Sequence, residues 1–256
     1  MEKGLKYVTI LGIKINSTPK AELLKSIENK LTKKIQFYIV TPNPEIILKA
    51  QNDPKLTHSL NSADFSLPDG FGLKLAAKNL EIIKGRELMV DLFKLANDKK
   101  LKVYLLGGHD FVNKKALTVL SKEFPHIKSK GSSGPILNNN AVPVSEVNTS
   151  LQFEIVKDIN SFRPDMLLVA FGAPKQEIWL NTHLKDLNVV GAMTVGGGLD
   201  YYSGLVKPTP VLFANFHLEW LWRLVQEPRR IGRIFNALII FPFKLAIDNI
   251  FHSVNN

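Results

Sequence analysis

The chain has 256 residues, 45% of them hydrophobic, and a formal charge of +10 from 33 basic and 23 acidic side chains. That apolar fraction supplies a full core and excludes a disordered chain, while the lack of cysteine excludes disulfides, thiolate metal sites and cysteine nucleophiles. The positive balance favours an anionic partner (nucleic acid, a phosphorylated substrate or an acidic membrane face) or else serves solubility alone.

The first residues, MEKGLKYVTILGIKIN, contain no long apolar run, so no signal peptide is expected. Residues 5–16 read as a short strand or hairpin. Thr18-Pro19 is expected to open a helix, with Thr18 as its N-cap and Pro19 in the first helical position. Leu23, Leu24, Ile27 and Leu31 then recur at helical spacing. A strand is predicted over residues 35–40, a helix from Pro44 through Gln51, and another from Asp53-Pro54 through Leu60. Phe65 to Leu67 reads as a short buried strand ending at Pro68. Residues 72–79 are predicted helical, and residues 86–100 more strongly so, with Leu88, Leu92 and Leu95 on one face. A strand over 101–106 runs into a Gly107-Gly108 turn, and Asp110 is expected to cap a helix reaching Phe124. This unit is able to offer amide groups to a phosphate, but it lacks a full G-x-G-x-x-G spacing.

Residues 131–150, rich in Gly, Ser, Asn and Pro, read as a surface loop. A helix over 146–162, a strand over 166–171, a helix from Lys175 and a last strand over 189–195 follow. Strands alternating with helices imply an α/β fold, a Rossmann-like and mostly parallel sheet covered on both faces. After Pro208 and Pro210 the pattern changes to two or three helices with breaks expected near Pro228 and Pro242. The domain reading is therefore a catalytic α/β unit over 1–207 and a helical appendage over 208–256. Ten uncharged residues separate Arg233 from Lys244. A membrane span needs roughly 20, so this segment is expected to lie on a bilayer and not to cross it.

Polar residues gather where strands end. Thr41-Pro42-Asn43 follows the strand at 35–40, and Pro68-Asp69-Gly70 follows the one at 65–67. In a parallel sheet these share the carboxyl edge, where open α/β folds bind ligands. Asp69 reads either as a turn residue or as a base reaching a bound hydroxyl. Thr41 and Asn43 read as a helix start and, compatibly, as part of an anion site. Arg86 stands at a helix start, where its charge opposes the dipole and calls for a ligand or a fixed ion pair, or it is simply solvated. Gly172-Ala173-Pro174-Lys175-Gln176-Glu177 and Gly196-Gly197-Gly198 with Asp200 are strand-to-helix turns, either ordinary loops or diphosphate and ribose contacts. No Asp-x-Asp pair, zinc-ligand histidine spacing, G-x-x-x-x-G-K-[ST] loop or G-x-S-x-G elbow occurs, so no metal or cofactor is expected.

Taken in order, Thr41-Pro42-Asn43, Leu67-Pro68-Asp69-Gly70, Gly85-Arg86, Phe171 to Glu177, Val195-Gly196-Gly197 with Asp200, and Glu219 to Leu224 leading to Glu227-Pro228-Arg229-Arg230 resemble the WecG/TagA/CpsF glycosyltransferases. The resemblance covers nearly the whole chain. It implies an inverting transfer of N-acetylmannosamine, its uronic acid or a related sugar from a UDP-sugar to a polyprenyl-diphosphate-linked sugar. It also implies a role in building a cell-surface polysaccharide or teichoic acid, by an enzyme held on the inner face of the membrane by its C-terminal appendage. Asp69 would be the base, with Thr41 and Asn43 lining the donor and acceptor pocket and Arg86 on a phosphate. Gly172, Gln176, Gly196 and Gly197 would line the nucleotide site, and Asp200 would face the uridine. Arg223, Arg230 and Arg233 match appendage arginines that engage diphosphates. The usual second arginine beside Arg233 is absent here, Gly232 and Ile234 flanking it. The implied partners are a UDP-sugar, the lipid acceptor and an anionic membrane, not nucleic acid. Trp220, Trp222, Phe241 and Phe243 are expected to bury at the interface or, on spacing alone, in the core. Two other readings stand beside this one: an NAD-dependent oxidoreductase using the Gly107-Gly108 turn, and a basic membrane adaptor without catalysis.

Overall fold

The computed structural model describes residues 5–206, 209–210, 213, 219–226, 228 and 231–254. Its centre is a six-stranded sheet in the order β4-β3-β8-β7-β5-β6, with every neighbouring pair parallel. The strands are β3 (Phe37–Val40), β4 (Phe65–Ser66), β5 (Lys102–Gly107), β6 (Lys128–Ser132), β7 (Met166–Ala170) and β8 (Gly191–Thr194). FYIV, MLLVA and GAMT are buried at every position, as strands covered on both faces must be. One face packs under α1 (Lys20–Thr32), α4 (Gly85–Asp98), α5 (Asp110–Glu123) and α8 (Gly198–Tyr202). The other packs under α2 (Pro44–Ala50), α3 (Pro54–Asn61), α6 (Glu146–Phe162) and α7 (Lys175–His183).

A separate antiparallel hairpin, β1 (Tyr7–Ile10) and β2 (Ile13–Asn16), precedes the sheet. Its turn is Leu11-Gly12, both at positive φ, the conformation that matches strand twist in tight hairpins. Thr18 does not cap α1. Its hydroxyl instead accepts from the Lys6 backbone N–H at 2.8 Å, tying the hairpin to the helix start, and Pro19 occupies the cap position. Asp53 caps α3 as read from sequence, accepting from Lys55 and Leu56 N–H at 3.1 and 3.0 Å.

Several boundaries differ from the sequence reading for identifiable reasons. Ile35 is 47% exposed, and β3 begins only at Phe37. In place of a helix over 72–79 there is a short 3₁₀ turn, Phe71–Leu75, whose apolar Phe71 and Leu75 face solvent. Asp110 lies inside α5, paired with Lys114 at 2.7 Å, while His109 holds the cap position. Strand β6, KSKGS, falls where the sequence shows only polar residues; as an edge strand it needs no apolar alternation. It is anchored by buried Asn113, whose amide donates to the carbonyls of Leu105, Gly107 and Ser132 at 3.1, 2.9 and 3.0 Å. Gly107 has φ +103°, and a Cβ there would stand 2.7 Å from the Ala170 backbone, so β5 and β7 close up only with glycine at that point.

The C-terminal segment contains α9 (Glu219–Gln226), α10 (Ile231–Phe235), a π turn (Asn236–Ile240) and α11 (Phe241–Val254). No break occurs at Pro242. The chain stays helical through it because the preceding turn widens: Phe241 N–H donates to Asn236 O, five residues back, which makes room for a proline ring. Phe241 is fully buried and Leu245 nearly so, both in the core cluster that includes α2. Phe241 is thus a core residue and not an interfacial one, whereas Phe243 is 64% exposed. Trp222 packs against Phe213, ring centroids 5.6 Å apart. No helix among the described residues is long and apolar enough to cross a membrane.

Candidate active site

Strands β3 and β7 send their following helices to one face of the sheet, while β8, between them, sends α8 to the other. Crevices open at such switch points on the carboxyl edge. Thr41 and Asn43 follow β3, Asp69 follows β4, Gly172 and Gln176 follow β7, and Gly196, Gly197 and Asp200 follow β8. The sheet therefore assembles on one edge residues that are far apart in sequence.

The Thr41 and Asp69 loops are joined directly. Asp69 N–H donates to Pro42 O at 3.0 Å, and Leu67 N–H donates to Val40 O at 2.8 Å. Asp69 is half-buried, so its carboxylate is not sealed in the core. Asn43 caps α2, its Oδ1 accepting from Ile46 N–H at 3.0 Å, as the spacing predicts. Arg86 enters from the start of α4. Gly85 lets that helix approach: a Cβ at 85 would lie 3.1 Å from Thr41 Oγ1. The Arg86 guanidinium lies over the ring of Tyr201 on α8, 5.4 Å from its centroid, within cation–π range. Arg86, Met89, Gly198, Tyr201 and Val206 border a cavity of about 530 Å³ between α4 and α8, a volume suited to a small ligand.

Gln176 departs from a simple lining role. It is 4% exposed, and its Oε1 accepts from Gly172 N–H at 3.2 Å and Gly196 N–H at 2.9 Å. Its side chain is a crossbar between the turns after β7 and β8. Its Nε2 donates to Glu177 Oε1 at 2.7 Å. Glu177 is 1% exposed, and burial pushes its carboxyl up to about 7; the hydrogen bond from Gln176, its own backbone N–H and the charge of Lys49 oppose the rise. Thr194 Oγ1 also favours the ionised carboxyl, yet neither it nor Glu177 Oε2 completes a hydrogen bond.

Tyr201 and Glu177 were given no role by sequence reasoning. A two-tyrosine step after the glycine run and an acid in the first turn of α7 were the only signals. The side chains of Arg223 and Arg233, and Arg230 altogether, lie outside the described residues. Among the described residues no group of three His, Asp or Glu side chains is arranged to hold a metal ion.

Residues 8–254 match the Glycosyl transferase WecG/TagA/CpsF family. Proteins of Staphylococcus aureus strains MW2, MRSA252 and NCTC 8325 / PS 47, each described as an N-acetylglucosaminyldiphosphoundecaprenol N-acetyl-beta-D-mannosaminyltransferase, are 32% identical over 249 residues. The alignments span 93% of this chain and 92% of each relative. With a match of that extent over a parallel sheet whose carboxyl edge gathers Thr41, Asp69, Arg86 and the glycine turns, the chain belongs to the WecG/TagA/CpsF family of glycosyltransferases.

Proposed function

We propose that this enzyme transfers N-acetylmannosamine, or a closely related hexose or hexuronate, from a UDP-sugar to a hydroxyl of a polyprenyl-diphosphate-linked sugar, with inversion at the anomeric carbon. The relatives' names support the acceptor class and the sugar. The observation that carries the chemistry is the junction of the Asp69 and Thr41 loops at the carboxyl edge, beside Arg86.

In this reading the acceptor oxygen attacks the anomeric carbon from the side opposite UDP. The carbon–oxygen bond to UDP breaks, the electron pair leaves with UDP, and Asp69 takes the hydroxyl proton. A free aspartate has a pKa of about 4 and is a weak base, so proximity and partial burial supply the advantage. The leaving diphosphate gains negative charge, which turn amides and arginines offset without a metal. Arg86 is the described member of that set, and Arg223, Arg230 and Arg233 complete it.

The C-terminal segment fits association with the inner face of the membrane that carries the lipid acceptor. Phe235, Leu238, Ile239 and Phe243 are exposed there. Exposed Phe71 and Leu75 lie on the adjoining 3₁₀ turn, where a Cβ on Gly72 would stand 4.0 Å from Ala237 O. Apolar side chains on a helical face lodge in the headgroup region, and nearby arginines add about 1 kcal/mol each on an anionic surface.

The test is a screen of UDP-sugars against a short-chain lipid-diphosphate-linked sugar as acceptor, read by product mass and anomeric configuration. Transfer from UDP-N-acetylmannosamine or a relative, giving the inverted linkage, is expected. Retention of configuration, or turnover with a non-uridine donor only, overturns the proposal.

A further inference from the structure

We propose that Glu177 is a positioning residue: its carboxyl fixes the orientation of the Gln176 amide, and through it the two glycine turns that face the donor diphosphate. This rests on reading that edge as the nucleotide site.

A primary amide has an accepting end and a donating end. The accepting end of Gln176 meets two backbone donors, Gly172 N–H and Gly196 N–H. Rotating the amide by half a turn would set its NH₂ against both, losing two hydrogen bonds and opposing donor to donor. The neighbour that holds the donating end in the same orientation is Glu177, whose Oε1 accepts from Gln176 Nε2 at 2.7 Å. An oxygen turned toward that carboxylate would be repelled.

The two turns belong to different strands and to helices on opposite faces, α7 and α8. Gly172 has φ +78° and Gly196 φ +50°, and a Cβ at 172 would meet nothing within 4 Å. Neither glycine is braced by a side chain of its own: the Val195 N–H to Val169 O bond at 2.9 Å joins the strand ends, and beyond it the crossbar links the turns. Gln176 and Glu177 are consecutive, so one accepts from the turns above while the other sits in the core beneath. Burying a carboxyl there with one oxygen, Oε2, lacking a hydrogen bond is unfavourable for packing alone. Lys49, the cation acting on Glu177, is itself paired with Glu45 at 2.8 Å. An apolar side chain would fill the space at lower cost, and it would leave the donating end of the amide without its acceptor.

The full-length chain tests this with two variants and two readouts. Glu177→Gln keeps an accepting carbonyl; Glu177→Leu removes it at similar volume. Hydrogen exchange at the Gly172 and Gly196 amides is read without ligand, and UDP affinity is read by calorimetry. Glu177→Leu should speed exchange at both turns and weaken UDP binding by about tenfold or more, the scale of a lost hydrogen bond to a charged group. Exchange in β5 should not change. Glu177→Gln should stay within about threefold of the parent on both readouts. Unchanged turn exchange in a folded Glu177→Leu, or Glu177→Gln behaving like it, overturns the proposal. Should Glu177→Leu not fold, Gln176→Met gives the same reading: turns that exchange no faster without the crossbar refute its role. A parent chain that binds no UDP defeats the nucleotide reading alone, and the exchange rates still decide for or against the clamp.

Discussion

Phe241 lies on the C-terminal helix, so truncating it to alanine measures how firmly that helix is held to the α/β core. The ring is fully buried in the cluster shared with α2, while Phe243, two residues on, is 64% exposed. Two residues turn a helix by roughly 200°, which places the pair on opposite sides. Loss of a buried phenylalanine ring costs about 3–5 kcal/mol. For a chain of this size each kcal/mol moves the melting temperature by about 2–4 °C, so Phe241→Ala is expected to melt some 6–20 °C lower if it unfolds as one unit. There is a ceiling. If α10 and α11 release before the sheet unfolds, the loss cannot exceed the free energy of docking, and a second transition appears. Urea unfolding followed by tryptophan fluorescence and circular dichroism distinguishes the two cases. Phe243→Ala should change stability by no more than about 0.5 kcal/mol. Equal, small effects of both substitutions would refute the docked arrangement.

Asp69→Asn should lower kcat by about 100-fold or more, the range of a positioned general base, with the melting temperature preserved; a loss below about tenfold removes Asp69 from that role. Glu177 binds its proton more tightly folded than unfolded, so its contribution is complete at acid pH and is lost as pH rises through about 7. A rise from 4.5 to about 7, at about 1.4 kcal/mol per pH unit, amounts to roughly 3 kcal/mol. Between pH 4.5 and 8.5 the stability difference between parent and Glu177→Gln should therefore move by about that much in favour of the variant; parallel profiles would contradict it. Transfer is expected to continue in excess chelator, and activity abolished by chelation and restored by a divalent ion would require a metal in the mechanism.

The sheet was legible because its strands are buried on both faces and so read as unbroken apolar runs. The placement of Asp69, Thr41 and Asn43 at the carboxyl edge was legible because breakers mark the ends of those runs. β6 was not, since an edge strand held by the Asn113 amide carries no apolar signal of its own. Thr18 misled because the same hydroxyl that caps a helix also bonds a neighbouring strand, and only the tertiary fold decides which. The Gln176 crossbar was invisible for a similar reason: its partners, Gly172 and Gly196, stand 4 and 20 residues away, and sequence spacing does not reveal which end of an amide faces them. Pro242 signalled a break, and the π turn before it supplied the room that a regular helix lacks.

The two margins of the sheet govern how this molecule meets others. β4 offers only two residues, and β6 presents exposed Lys128 and Lys130, the latter engaged with Asp158. A short rim and a charged rim both discourage a further strand from adding on. Enlargement of the central sheet by a neighbouring chain is thereby disfavoured at both ends. The carboxyl edge that gathers Thr41, Asp69 and the glycine turns lies across the strand ends, away from both rims.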